Sequence, residues 1–267
     1  ADAPLPAFGV VIVFEMLLVT AGLWRAMAAA RAPAPARLDP ARILAGALLR
    51  EAWPLMLTSL AVIVYMKIDE VMLRQMAGPA AVGVYAAAVR ISELWYFVPV
   101  ALASSVLPAL LRTRERDAVH YRARLQQFFD LNAGLAYGSA IPLALASGWI
   151  TRLAYGEAFA AAGPVLAVHI WASLFVFLGV ARGQWLVNEG HTRFYFLATL
   201  AGAVTNIGLN LVLIPRQGAL GAAWATLIAY GLAAWLTTFA SGRTREIAWM
   251  QTRAILLPLL GWRYFFR

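Results

Sequence analysis

The chain has 267 residues, 62% hydrophobic and 13% charged, with a mean hydropathy of +0.72. Soluble domains are about half apolar and about a quarter charged, so this composition belongs to a polytopic membrane protein. The formal charge of +9 lies in short arginine runs between apolar segments, with no basic face or RNA-binding motif, which excludes nucleic acid as a partner, and zero cysteines exclude disulfides and thiolate chemistry.

About 20 apolar residues are needed to span a bilayer as a helix. Seven segments qualify in chain order: 5–27, 51–77, 82–110, 127–150, 164–187, 194–214 and 219–240. They are apolar all round, so periodicity does not separate a lipid face from a bundle face. The opening ADAPLPAF has no initiator Met and no basic n-region, and reads as a beginning in mid-protein. The expected fold is all-α: 1–30 a membrane helix, 31–50 an Ala/Pro-rich linker leading to an interfacial helix, 51–240 a six-helix unit, and 241–267 a basic tail.

Arginine placement orients the segments. Arg31, Arg37, Arg42 and Arg50 follow the first segment, Arg112 to Arg124 follow the third, and Arg243 to Arg267 follow the seventh. The alternate turns hold only Arg74, Arg152 and Arg216, so the tail is expected in the cytoplasm and the N-terminus outside.

The second and third segments carry Lys67, Asp69, Glu70, Arg74, Arg90 and Glu93. A charge at the centre of a membrane helix costs roughly 2.5–3.5 kcal/mol on insertion scales. Lys67, Glu70 and Arg74 share a helical stripe, Asp69 points about 100° away, and Arg90 and Glu93 share a face. Folding the hairpin about residue 80 sets Glu70 level with Arg90 and Lys67 level with Glu93. Two readings stay open and are compatible. The pairs neutralise each other and lock the hairpin, or the face lines an aqueous cavity in which Arg90 meets an anionic substrate and an acid carries protons.

Other polar residues are equally two-sided. Glu15 in the first segment is a protonated or lumen-facing carboxylate, or the partner of a further helix. Arg182 is a positive-inside anchor or lines a cavity. Ala198, Gly202, Asn206 and Asn210 recur at i+4, which suits close helix packing with interhelical hydrogen bonds, or contact with substrate. Pro99 and Pro142 permit bends. His120, His169 and His191 have no metal-ligand spacing, and no GxSxG, HExxH, phosphate loop or dinucleotide fingerprint occurs, so neither a catalytic residue, a metal nor a cofactor is expected.

Several stretches together carry a resemblance: REAWPLMLTSLAVIVYMKIDEVMLRQM, AVGVYAAAVRISELWYFVPVALASSVLPAL, LAYGEAFAAAGPVL and TNIGLNLVLIPRQGALGAAWATLIAY. In this order, from about Glu51 to Tyr230, they resemble the bacterial polysaccharide and O-antigen repeat-unit flippases of the multidrug/oligosaccharidyl-lipid/polysaccharide exporter superfamily. The resemblance implies the last helix of one lobe (1–30) followed by a six-helix second lobe (51–240), in an inner-membrane carrier working by alternating access. It implies an undecaprenyl-diphosphate-linked oligosaccharide as substrate, membrane lipids around it, and a polysaccharide polymerase and chain-length machinery as further partners. Arg90 would be the foremost substrate contact, with Lys67, Arg182 and Glu93 beside it, because guanidinium donates to diphosphate in bidentate fashion. Asp69, Glu70 and Glu15 would couple transport to a proton or sodium ion. The alternatives are a multidrug antiporter or peptidoglycan-precursor flippase and, in a different class, a polysaccharide polymerase or ligase.

Overall fold

The computed structural model describes residues 41–114 and 117–260, together with Leu18, Ala21, Gly22 and Arg25. The linker before 41, the end of the tail after 260, and Glu15 with most of the expected helix 5–27 lie outside the described residues. The chain divides into two compact units, Ala1–Glu51 and Ala52–Arg267, and apart from the start of the first helix (41–51) the features below belong to the second.

Among the described residues every regular element is helical. Helix α1 (Ala41–Met76) ends at a turn in which Gly78, at φ +83°, takes a left-handed backbone conformation that a side chain disfavours. Pro79 then opens α2 (Gly78–Glu93), where a missing N–H costs nothing. A short turn joins α2 to α3 (Phe97–Arg114), and together these form one membrane-length span, Gly78–Arg114. Helix α4 (Ala118–Leu145) meets α5 (Ser147–Tyr155) at a bend of 73°, a few residues after Pro142. A 3-10 turn (Glu157–Phe159) leads to α6 (Ala162–His169) and α7 (Ala172–Asn188), then α8 (Thr192–Gln217) and α9 (Ala219–Ala234). The chain continues through the turn Leu236–Ala240 to α10 (Arg245–Ile255) and α11 (Leu257–Leu260). Four spans among the described residues are long and apolar enough to cross a membrane, or five if the bent α4–α5 pair is one span. They coincide with the third to seventh segments expected from the sequence, and the second falls on α1.

The helices enclose two apolar cores. One gathers the end of α1, α2, α6 and the start of α9 around Leu73, Ala88, Leu166 and Ala222. The other joins α3, α4, α7 and α10 around Phe129, Phe177 and Leu178. Helix α10 lies within that second packing: Ile247 and Ala254 are buried, and the Tyr137 hydroxyl on α4 donates to the Ile255 carbonyl at 2.7 Å.

The tightest pairing is α8 on α9. Gly218, at φ +55°, makes the turn between them. A Cβ on Gly221 would strike the Leu213 carbonyl, and one on Gly202 would meet the Ala233 methyl, so both helices need glycine to come this close. That approach carries Asn206 and Asn210 within reach of the face of α9 that holds Thr226.

Candidate functional site

Two polar centres are buried in this apolar bundle. The first is Asp69, on α1 and 1% exposed. Its Oδ2 accepts a hydrogen bond from the Tyr85 hydroxyl (α2) at 2.6 Å and from Thr226 Oγ1 (α9) at 2.5 Å. Its Oδ1 accepts from Asn210 Nδ2 (α8) at 2.5 Å. Asn210 Nδ2 also lies 3.2 Å from Asn206 Oδ1, one turn earlier on the same helix. Four helices thus converge on one carboxyl group.

The surroundings are neutral. Tyr85 stacks edge-on against His169 (α6), whose Nδ1 lies 2.9 Å from Ser92 Oγ, and no lysine or arginine among the described residues pairs with Asp69. An ionised carboxylate taken out of water costs several kcal/mol unless charge partners offset it. Three neutral donors offset part of that, and a proton or a small cation would offset the remainder. The set of oxygens from Asp69, Asn206, Asn210 and Thr226 is the hard-ligand chemistry that such cations take. Among the described residues no group of three or more His, Cys, Asp and Glu side chains could hold a metal. Any cation here would therefore rest on one carboxylate and neutral oxygens.

The second centre is Arg182, on α7 and 2% exposed. Its Nη1 donates to Thr238 Oγ1 at 3.0 Å and to Thr237 Oγ1 at 3.2 Å, and its guanidinium carbon sits 5.9 Å from the centre of the Tyr195 ring. Beside it opens a cavity of about 130 Å³ lined by Tyr65, Tyr96, Arg182, Tyr195, Thr199 and Tyr230. The two centres share helices. Tyr65 lies one turn before Asp69 on α1, Tyr230 lies one turn after Thr226 on α9, and the two rings meet with centroids 4.7 Å apart.

The third polar feature faces outward. Exposed Lys67 Nζ lies 3.5 Å from Glu70 Oε1 and 3.9 Å from Glu93 Oε2. Arg90 is exposed and makes no ion pair or hydrogen bond with the described residues. The expected level pairing of Glu70 with Arg90 is therefore corrected: Glu70 pairs with Lys67. The reason is the hinge. α1 ends at Met76 and Gly78 turns the chain, so the buried face of the hairpin is centred near Ala77. Asp69 and Tyr85, each eight residues from Ala77, are the pair that meets. The other expected pairing, Lys67 with Glu93, is observed at 3.9 Å.

Asp69 and Arg182, two candidates from the sequence, thus sit at the buried centres, and Asn206 and Asn210 join Asp69. Gly202 lies in the α8–α9 contact. Lys67, Glu70 and Glu93 form the outward cluster. Tyr85, Thr226 and the four cavity tyrosines escaped sequence reasoning, since lone hydroxyls on apolar helices look like core. Their one signal was the i+4 pairing of Tyr65 with Asp69 and of Thr226 with Tyr230.

These features define a multi-pass helical membrane protein with buried ionisable groups. The family described as "Polysaccharide biosynthesis protein" matches residues 10–114. The chain is similar to the "Probable flippase AglR" of Haloferax volcanii, 30% identical over 174 residues, covering 63% of this chain and 36% of that protein. It is also similar to the "Uncharacterized membrane protein YabM" of Bacillus subtilis, 32% identical over 97 residues, covering 36% of this chain and 18% of that protein. The chain thus spans about a third of the length of the archaeal relative and less of the bacillary one. No solved structure matches it.

Proposed function

We propose that this chain is part of a carrier that moves a lipid-linked saccharide across a membrane without bond chemistry, driven by an ion that binds at Asp69. The observation that carries the reading is the Asp69 centre: a buried carboxyl group, held by donors from three other helices, with no cation beside it among the described residues. Intramembrane ionisable residues are functional candidates by default. A proton or sodium ion arriving there cancels the charge, weakens or redirects the bonds from Tyr85, Thr226 and Asn210, and so changes how α1, α2, α8 and α9 hold together. The titratable groups facing it are Tyr85 on α2, His169 on α6 behind Tyr85, Tyr65 on α1 and Tyr230 on α9. A bundle whose packing depends on one occupant has two states, as alternating access requires.

The substrate class rests on the similarity to a probable flippase and to a polysaccharide-biosynthesis family. In the finer reading the substrate is an undecaprenyl-diphosphate-linked oligosaccharide and the membrane is the bacterial inner membrane, with the C-terminus in the cytoplasm. Arg90, exposed and unpaired, supports an anionic headgroup over a cationic drug, with Lys67 and Glu93 beside it and Glu70 as an additional acid. The test uses the complete protein carrying this sequence in proteoliposomes loaded with a fluorescent undecaprenyl-diphosphate oligosaccharide. Translocation is read as loss of the outer-leaflet signal to an impermeant quencher. The expected result is translocation that a proton or sodium gradient accelerates, reduced at least tenfold in Asp69→Asn at equal protein amount. Transport of a lipid bearing a peptide-substituted sugar, or of a cationic dye, with none of the oligosaccharide lipid would overturn the substrate class.

A further inference from the structure

We infer that the cavity beside Arg182 is a binding site for a single oxyanion, a carboxylate or phosphoryl group. Three observations lead there. Arg182 is always charged at neutral pH, is buried, and has no carboxylate partner among the described residues; two threonine hydroxyls and a tyrosine face are its company. Its Nε is buried without a hydrogen-bond partner, and so is the hydroxyl of Tyr96. Both residues line the same cavity. A buried donor left unmade costs free energy, and a buried cation without a counter-charge costs more. Among the described residues Arg182 is the one charged residue in the lining of this cavity, so an anion entering it would meet an uncompensated cation.

The volume limits the ligand. At about 130 Å³ the cavity equals roughly four water molecules at liquid density, enough for one carboxylate or phosphate group and too small for a whole oligosaccharide. Water would satisfy the donors but not the charge. The anion would therefore be the leading group of a larger molecule, whose remainder lies outside the cavity. This deepens the translocation reading and rests on it for the source of the anion: an acidic sugar within the saccharide, or the phosphate that joins it to the lipid.

Binding is measured without transport, so the two ideas fail separately. The complete protein in nanodiscs is titrated at constant ionic strength with sodium glucuronate, sodium phosphate and geranylgeranyl diphosphate, reading the thermal midpoint by tryptophan fluorescence. The expected result is a saturable upward shift with at least one probe. Arg182→Gln weakens that affinity at least tenfold. Val62→Phe, which fills the cavity and leaves the guanidinium in place, does the same and serves alone if Arg182→Gln does not fold. Glucuronate acting alone identifies an acidic sugar; phosphate and the diphosphate acting together identify the lipid linkage. A shift that survives Val62→Phe puts the anion elsewhere and overturns the site, as does the absence of a saturable shift with all three probes.

Discussion

Asp69 and Glu70 are neighbours in the chain and live in different solvents. Asp69 sits among four helices with three hydrogen-bond donors and, among the described residues, no cation. Glu70, a helical step of about 100° away, is partly exposed beside Lys67. The difference teaches that a charge in an apolar helix is specified by the face it occupies, not by the segment that carries it. A carboxylate beside a flexible lysine on an exposed face gains and loses little. A carboxylate that replaces water with fixed tyrosine, threonine and asparagine donors holds the bundle together, and a change in its charge is felt by every helix that donates to it.

The sharpest way to break this contrast is Asp69→Leu. The change takes the shared acceptor from Tyr85, Thr226 and Asn210, leaving them only the bonds to Thr226 Oγ1, the Ala222 carbonyl and Asn206 Oδ1, and a buried donor left unmade costs about 1–3 kcal/mol. The expected loss is about 3 kcal/mol or more, seen as a collapsed thermal midpoint or vanishing membrane abundance, whereas Glu70→Leu leaves abundance within about twofold. Equal losses at the two positions would sink the distinction. Thr226→Val removes one donor at nearly constant shape, with an expected cost of about 1 kcal/mol, read as a lower midpoint by tryptophan fluorescence. On the outer face Lys67→Gln costs about 0.5 kcal/mol or less, since exposed ion pairs are weak and screened by salt. A larger effect there, insensitive to salt, would mean that the outer cluster is also structural.

The smallest expected effect lies at the N-terminus of α4. Asp117 caps that helix, accepting from the backbone N–H groups of Val119 and His120, while His120 Nδ1 lies 2.7 Å from its other oxygen. The bond from the His120 backbone first, and then its ring, hold the Asp117 carboxyl below its ordinary range. A depressed carboxyl contributes stability that is fully present above its unfolded value and is lost as pH falls through the lowered folded one. Acidification into that range should therefore fray the first turn of α4, measured as faster amide exchange at Val119 and His120. Asp117→Ala should show the faster exchange already at neutral pH and no further acid dependence there.

Much of the helical layout was legible because bilayer length imposes itself on composition: the segments 82–110, 194–214 and 219–240 lie on spans of the structure. The stripe of Asn206 and Asn210 was equally visible, since amides at i+4 stand out against Ala and Leu. The register of the hairpin was not. AGPAA contains both a glycine and a proline, and composition does not say which residue makes the turn; the left-handed Gly78 does, two residues ahead of the centre assumed. Nor could the partners of Asp69 be read. Tyr85 is 16 residues away and Thr226 is 157, and a single hydroxyl on an apolar helix gives no sign that it faces a carboxylate rather than lipid. Arg182 stayed two-sided in sequence because a cation near a helix end looks the same whether it anchors the helix or lies beneath Thr237 and Thr238.

The distance in sequence between Asp69 and its partners also imposes an order on assembly. Tyr85 emerges from the ribosome soon after Asp69, but Asn210 and Thr226 follow only after about 140 and about 157 further residues. At translation rates of roughly 5–20 residues per second, the carboxyl group waits on the order of ten seconds with one hydroxyl for company. During that time α1 carries a carboxyl group short of two of its three donors. The arrival of the tightly paired α8 and α9 completes the set of donors and closes the unit. A chain interrupted before α8 lacks both Asn210 and Thr226, so completion of the bundle is written into the hydrogen bonds of a single side chain.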